Sequence, residues 1–472
     1  MTRCRNTVFL LLLASGAMQT AVAQIEKQAP TYDVTLEDCL TAALKQNPEI
    51  QQMRADVERA AGTRLGYRSR ALPQLAAQAT AGYRGGSLYN SADIKTNASV
   101  ITTNSATVID PKPYSIVTAQ FSQPVIDAAI PPALRRGKLE VIVAQQNLHR
   151  TVTERLHETR MTFLQALYFR DLVALYEEID QRLQANVHSE QQRLDVGTGN
   201  EAALTVAKIQ QLNLELDLTN LRSYYFSAVT RIAELCGRDP SAGTNGTWQL
   251  RLPKPVGDLH YEPVTVDLSQ ECAYALRHRA DLKLLQALAD AIAAERQTVQ
   301  AGCFPSVSLI ASALFIPQNL LLSKQTNIVR QDTRSSEVRA GVALSWRVID
   351  NGRVTGASRR LDATRQVYEI ALHKLEQNIP RELATIQGEL QGADARHKAL
   401  VKSTAEAEEN LKLIEAQVSL GEATQFDYLK AQSNLLSVRA GIAAATQSHE
   451  AARAELDHAT GRYLQYDDQD AP

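Results

Sequence analysis

Residues 121–127 read Phe-Ser-Gln-Pro-Val-Ile-Asp, and residues 344–352 read Leu-Ser-Trp-Arg-Val-Ile-Asp-Asn-Gly. Each stretch follows a segment in which apolar residues alternate with small or polar ones, as in a β-strand. Each is followed by a long tract that contains few helix-breaking residues. The shared Val-Ile-Asp recurs at an offset of 223 residues, and Gly197 recurs as Gly421 at an offset of 224. The region that begins at Leu36 partly matches the region that begins at Leu268, at an offset of 232. Three separate segments with nearly one offset indicate an internal duplication.

The duplication predicts the same order of elements in each half: a helix, two strands, a very long helix, a turn and a further helix. The first repeat, residues 24–237, is predicted to contain a helix at 35–72, strands at 74–84 and 114–125, a polar loop at 85–113, a long helix at 128–196 and a helix at 200–237. The second repeat, residues 266–461, is predicted to contain a helix at 267–304, strands at 306–316 and 337–348, a long helix at 352–419 and a helix at 424–460. A linker rich in Pro and Gly is predicted at 238–265, and a C-terminal tail at 462–472. The predicted fold class is therefore mainly α with a small β part.

The long helices need partners outside their own hairpin. The helix predicted at 128–196 would be roughly 100 Å long at 1.5 Å per residue. Its apolar residues recur at coiled-coil-like steps of three and four, as in Leu172, Leu175, Ile179 and Leu183. Such a hairpin must lie against other hairpins or against copies of itself.

The strands of the second repeat alternate between an apolar and a small or polar face. Val338, Val342 and Leu344 share one face, and Arg339 shares the other. This alternation is typical of a membrane barrel strand, although a half-buried hairpin in a soluble sheet has it too. No mature segment is apolar enough for a transmembrane helix, so a membrane-spanning part would have to be a closed β-barrel. Four strands per chain do not close a barrel, whereas three chains would supply twelve.

Residues 1–23 have the pattern of a secretory signal peptide. Arg3 and Arg5 precede an apolar run at 8–14, and Ala-Val-Ala at 21–23 forms a small-residue cleavage pattern. Cys4 lies before the apolar run, so we do not expect a lipidated N-terminus. The exported chain would keep four cysteines, Cys39, Cys236, Cys272 and Cys303. Export permits disulfides, but without Cys-x-x-Cys spacing the pattern favours isolated buried residues over any particular bridge.

Composition and motifs exclude several classes of function. The chain has 50 Lys and Arg against 52 Asp and Glu, and its net charge of −2 offers no basic face for nucleic acid. Walker, Gly-x-Ser-x-Gly and His-Glu-x-x-His motifs are absent from the sequence, and we predict neither an enzyme nor a cofactor. Two Glu-x-x-His pairs, Glu154 with His157 and Glu455 with His458, have the spacing of di-iron bundles. Such pairs arise readily by chance, and these bundles need further inward Glu, so no metal site is predicted.

The duplicated order resembles the TolC-like outer-membrane efflux protein family over essentially the whole mature chain. Residues 121–127 and 344–352 resemble its strand-to-helix junctions, and residues 418–432 resemble its second hairpin tip. The resemblance implies a homotrimer in the outer membrane of a Gram-negative bacterium, with twelve strands in one barrel. Twelve helices would continue it as a periplasmic α-barrel that holds most of the mass.

The same resemblance implies a function and its partners. The chain would be the exit duct of a tripartite efflux or type I secretion system. It would receive substrates from an inner-membrane pump of the RND or ABC type and from a periplasmic adaptor. A soluble periplasmic coiled-coil scaffold is the alternative.

The resemblance also implies site residues. Asp427, Lys430 and Glu201 would form a periplasmic constriction, where three copies of Asp427 would make an acidic ring. An ordinary pair of opposite charges on a wet helix surface is the alternative there. The adaptor-docking tips would comprise Val196, Gly197, Thr198, Gly199, Leu420, Gly421, Glu422 and Ala423. The strand-to-helix junctions would comprise Gln123, Pro124, Asp127, Asp350 and Gly352.

Overall fold

A computed structural model describes residues 31–95, 99–238, 251–316 and 335–463 of the chain. The predicted signal peptide and most of the predicted C-terminal tail lie outside the described residues. In the described ranges the helices are α1 (Leu36–Gln46), α2 (Pro48–Ser69), α3 (Ile130–Asp195), α4 (Glu201–Leu235), α5 (Leu268–His278), α6 (Ala280–Gln300), α7 (Arg353–Leu420) and α8 (Gln425–Thr460). The strands are β1 (Thr31–Val34), β2 (Gln74–Lys95), β3 (Val100–Ile126), β4 (Leu252–Pro255), β5 (Ser306–Ile316) and β6 (Ser335–Ser345). The chain is thus mainly helical with a small β part.

The single helix predicted at 35–72 is two helices, α1 and α2. The break is at Asn47, whose φ of −59° and ψ of 125° are not helical. Pro48 follows, and a proline disfavours the helical region for the residue before it. The Asn47 side chain then links the break to the rest of the repeat, because its Nδ2 donates to the Leu235 carbonyl at 2.9 Å.

The helix predicted at 267–304 is likewise divided, into α5, α6 and a short 3₁₀ turn. Its break is at Arg279, with φ −58° and ψ 127°, and no proline follows. The Arg279 guanidinium instead bonds Asp281 at 2.9 Å, Glu382 at 2.7 Å and the Ala459 carbonyl at 3.2 Å. Tertiary contacts of Arg279 therefore hold the chain at this second break, where the sequence carries no local helix-ending signal.

The two breaks show the duplication in three dimensions. Asn47 and Arg279 end equivalent helices at the offset of 232, and both take nearly the same backbone angles. Gly237 and Gly461, at the offset of 224, both have positive φ, at +67° and +80°. Each glycine packs against the first break of its own repeat, Gly237 against Gln46 and Gly461 against Arg279.

The described residues divide into two compact units. Unit 1 comprises residues up to 58, 143–286 and those from 370 onward. One of its apolar clusters joins β1, α1, α3, α4 and β4, and another joins α5, α6, α7 and α8. A further cluster, which includes Ile179 and Leu183 of the predicted seam, joins α3, α4 and α8. Part of the periodic apolar seam read from the sequence is therefore the core of this unit.

Unit 2 comprises residues 59–142 and 287–369 and contains an antiparallel sheet in the order β2-β3-β5-β6. Leu309 pairs with Val342 and Val307 with Leu344, so the apolar positions of β5 and β6 share a face. β2 and β3 are longer than predicted and pair out to Lys95 opposite Val100. The polar segment predicted as a loop is thus largely strand, because cross-strand pairing outweighs the weak local preference of Gly, Ser and Asn.

One sheet was not predicted. β1 and β4 pair in parallel, with Val34 opposite Pro255, so the predicted linker at 238–265 contains a strand of unit 1. Pro253 and Pro255 are tolerated because β4 is an edge strand.

No helix among the described residues combines the length and apolarity needed to cross a bilayer.

Candidate functional site

The first predicted tip is a tight reversal between α3 and α4. The Gly197 amide bonds the Leu194 carbonyl at 3.0 Å, and the Thr198 amide bonds the Arg193 carbonyl at 2.9 Å. Gly197 has φ +80°, the left-handed conformation that glycine adopts readily at a helix end. The side chain of the adjacent Val196 is left 78% exposed.

Glycine is required at Gly199 for a different reason. A Cβ there would lie 2.5 Å from the Leu194 amide nitrogen, so a side chain would collide with backbone. Asn200 follows and caps α4, since its Oδ1 accepts from the Ala202 amide at 2.9 Å. Glu201 is the first helical residue and is exposed.

The second tip repeats this geometry. Gly421 has φ +77°, and the Glu422 amide bonds the Gln417 carbonyl at 2.9 Å. Ala423 leads into Thr424, the N-cap of α8. Leu420 is 73% exposed and stands at the offset of 224 from Val196. Each tip therefore presents one apolar side chain beside its glycine.

Asp427 lies in the first turn of α8 and completes a capping box with Thr424. Its Oδ2 accepts from the Thr424 hydroxyl at 2.6 Å and from the Thr424 amide at 3.0 Å. These two hydrogen bonds, with a smaller contribution from the positive charge of Lys430, hold the pKa of Asp427 below its usual value. The carboxylate is thus both charged at neutral pH and fixed in direction.

The structure brings two of the three predicted constriction residues into one groove. Asp427 and Lys430 line it together with Gln210 and Asn410. Glu201 is not among its lining residues. Thr424, which orients Asp427, is not among the predicted site residues, although Thr-x-x-Asp before a helix is the spacing of a capping box.

The first predicted junction joins β3 to α3. Gln123 donates from Nε2 to the Ala71 carbonyl at 3.2 Å and to the Pro124 carbonyl at 2.9 Å. The pairing of β3 with β5 shifts register between Pro124 and Ile126, as expected where a proline removes a ladder donor. Asp127 then accepts from the Ala129 amide at 2.8 Å ahead of α3.

The second junction, between β6 and α7, uses the equivalent aspartate. Asp350 accepts from the Val354 amide at 2.9 Å and from the Gly352 amide at 3.0 Å. These backbone hydrogen bonds hold the pKa of Asp350 below its usual value. Gly352 has φ +83°, which explains the glycine in the sequence pattern. Both junction aspartates therefore satisfy free amides at the start of a long helix.

Three of the four residues in the two Glu-x-x-His pairs form a cluster between α3 and α8. His157 and Glu455 are in contact, with 2.8 Å between Nε2 and Oε2. The His157 and His458 rings stack with centroids 4.4 Å apart. Burial, and then the neighbouring His157, lower the pKa of His458 to about 4. Glu154, the fourth residue of the two Glu-x-x-His pairs, is not part of this group of three.

Comparison with known proteins agrees with the sequence pattern. The family model described as outer membrane efflux protein matches residues 39–238 and 273–462. The chain is 21% identical over 465 residues to the outer membrane efflux protein BepC of Brucella suis, covering 97% of this chain and 91% of BepC.

Two solved structures share the fold. The outer membrane protein VceC from Vibrio cholerae superimposes with a TM-score of 0.69 at 17% identity, covering 90% of this chain and 96% of VceC. The CmeC outer membrane channel of Campylobacter jejuni superimposes with a TM-score of 0.67 at 15% identity, covering 90% of this chain and 85% of CmeC.

Proposed function

Because the chain belongs to the outer membrane efflux protein family, we propose that it is the outer-membrane exit duct of a tripartite efflux or type I secretion system. The observation that carries this proposal is the family match, which covers most of both repeats. The duct would take substrates from an inner-membrane pump through a periplasmic adaptor and release them outside the cell.

The four-stranded sheet supports assembly as a trimer. β2 and β6 are its outer strands, so each has one edge without a partner in the described chain. Long open edges are normally paired or protected. Val338, Val342 and Leu344 on β6 are 65–79% exposed, an apolar surface suited to lipid. If β6 of one copy paired with β2 of the next, three copies would supply twelve strands and close them into one barrel.

The tips support docking of the adaptor at the turns between the paired helices. Val196 and Leu420 are exposed apolar residues at two equivalent turns. Glycines at both turns set the positions of these side chains. A periplasmic partner with small apolar sockets would bury both side chains.

The first experiment is single-channel recording from the detergent-purified mature protein in a planar bilayer, with its mass in detergent measured in parallel. A trimer that produces discrete openings is the expected result. A protein that is soluble without detergent and inserts no channels would contradict the duct and favour the periplasmic scaffold.

Asp427 supplies the clearest prediction for conduction. We expect Asp427→Asn to lower the preference of the channel for cations over anions, because it removes one negative charge per chain from the proposed ring. Asparagine keeps an oxygen that can accept from Thr424, so the α8 cap should persist. Since hydrogen bonds from Thr424 hold the pKa of Asp427 below its usual value, the carboxylate stays charged in mild acid, and the cation preference should persist down to about pH 5.

The measurement is the reversal potential under a salt gradient. Glu406→Gln, which removes an exposed negative charge from α7, is the matched control and should leave the reversal potential unchanged. An unchanged reversal potential in Asp427→Asn as well would exclude Asp427 from the constriction.

A further inference from the structure

The cluster of His157, Glu455 and His458 has the composition of a metal site. One candidate ligand atom from each residue lies within 4.8 Å of the other two. Two imidazoles and a carboxylate are a donor set that Zn²⁺ and other divalent transition metals accept. His157 comes from α3, whereas Glu455 and His458 stand three residues apart on one face of α8.

The ring nitrogens of the cluster are incompletely satisfied. Nδ1 of His157 and Nδ1 of His458 are buried and have no hydrogen-bond partner in the described structure. Buried polar atoms are nearly always partnered, so orphaned ones point to a missing ligand or water. A metal ion can accept the lone pair of His458 Nδ1, whereas His157 faces Glu455 with its other ring nitrogen, Nε2.

The neighbouring positive charges are already neutralised. The Arg160 guanidinium lies 2.8 Å from Asp457, and the Arg279 guanidinium lies 2.9 Å from Asp281 and 2.7 Å from Glu382. These pairs reduce the repulsion that either arginine would exert on a cation. In the described part of the chain, the Glu455 carboxylate lies within ion-pair distance of His157 and of no arginine or lysine. Glu455 would therefore offer its negative charge to a cation without first losing an arginine or lysine partner.

We propose that His157, Glu455 and His458 bind a divalent transition metal ion, Zn²⁺ foremost. The ion would take the place of the proton that His157 and Glu455 share. Three protein ligands leave a coordination position open for water. The ion would tie α3 of the first repeat to α8 of the second, a link that neither repeat can make alone.

The test is an isothermal titration calorimetry experiment in which Zn²⁺ is added to the metal-stripped, full-length protein in detergent. One Zn²⁺ per chain is expected, with affinity weakened by at least about tenfold in Glu455→Gln and in His458→Gln. His373→Gln is the matched control, because His373 lies 3.7 Å from Glu376 on an exposed helix face and the described residues supply no third ligand there. It should bind Zn²⁺ as the wild type does.

Cobalt provides a second readout that needs no variant. Wild-type protein loaded with Co²⁺ should show visible absorption bands of a histidine-bound ion. Absence of stoichiometric Zn²⁺ and of these bands in the wild type would overturn the proposal, as would undiminished Zn²⁺ affinity in both ligand variants.

A separate observation concerns two cysteines. Cys39 of α1 and Cys236, the residue after α4, are 197 residues apart in sequence, and both belong to one buried cluster. The Cys236 thiol donates to the Cys39 carbonyl at 3.7 Å. The adjacent Cys236 thiol and burial raise the pKa of the Cys39 thiol. The structure therefore brings together two thiols that the sequence favoured as isolated residues.

We infer that Cys39 and Cys236 form a disulfide after export, an inference that rests on the proposed location of the chain. A protein disulfide would supply the oxidising equivalents by thiol–disulfide exchange. One thiolate would attack it to give a mixed disulfide, and the second thiolate would displace the carrier. The two cysteine protons pass to the carrier, which leaves as a dithiol.

The test is alkylation of the exported protein with N-ethylmaleimide under denaturing conditions, followed by peptide mass spectrometry. Cys272 and Cys303 should be alkylated, whereas Cys39 and Cys236 should appear as one linked peptide pair that separates on reduction. Alkylation of Cys39 and Cys236 in a chain that has lost its leader would overturn the disulfide while leaving export intact.

Discussion

Charging both apolar tip residues, by Val196→Asp with Leu420→Asp, is expected to abolish pump-dependent efflux while the channel still assembles. Both side chains are largely exposed in the chain, so the substitutions cost the fold little. Burial of a Val or Leu side chain contributes about 1.5–3 kcal/mol. Loss of both contacts should therefore weaken adaptor binding on the order of 100-fold or more, before any cost of burying the new charges.

A fluorescent dye is first chosen that cells with the wild-type channel expel. The measurement is how much of this dye cells with the variant retain. The matched control exchanges the two residues, as Val196→Leu with Leu420→Val, which keeps both tips apolar and should keep efflux. Trimer yield and single-channel conductance should be normal in both variants. Full efflux by the charged variant would remove the tips from the docking surface.

Gly237→Ala is expected to have the largest effect on folding. Gly237 has φ +67°, and a Cβ there would lie 2.1 Å from the Gln46 carbonyl oxygen. Alanine would therefore combine backbone strain of about 1–3 kcal/mol with overpacking of about 1–3 kcal/mol. The affected contact joins the end of α4 to the break between α1 and α2.

The check is thermal unfolding of the purified protein in detergent, with the yield of folded trimer. Gly388→Ala in α7 is the control, because its Cβ would meet no atom within 4 Å. It should stabilise the helix by up to about 1 kcal/mol. Gly461→Ala should fall between the two, since its φ is +80° but its nearest contact is at 3.4 Å. Equal stability of Gly237→Ala and Gly388→Ala would show that the close approach is not rigid.

Much of the candidate site could be read from the sequence because its signals are local. The turns at Gly197 and Gly421 follow from glycine's access to positive φ at a helix end. Asp127 and Asp350 cap the long helices because a short polar side chain just ahead of a helix can accept hydrogen bonds from its free amides. The signal that orients Asp427 is equally local, since it is the three-residue spacing from Thr424 that forms the capping box.

The duplicated order, the long helices and the turns can be read from the residues alone, since each depends on periodicity or on a single residue's backbone preference. The break at Arg279, the β1–β4 pairing and the full length of β2 and β3 emerge only in the folded chain. Folding also brings His157 against His458 and Cys39 against Cys236. Strand pairing and contacts between distant segments arise from packing, and residues far apart in the chain carry no local sign that they will touch.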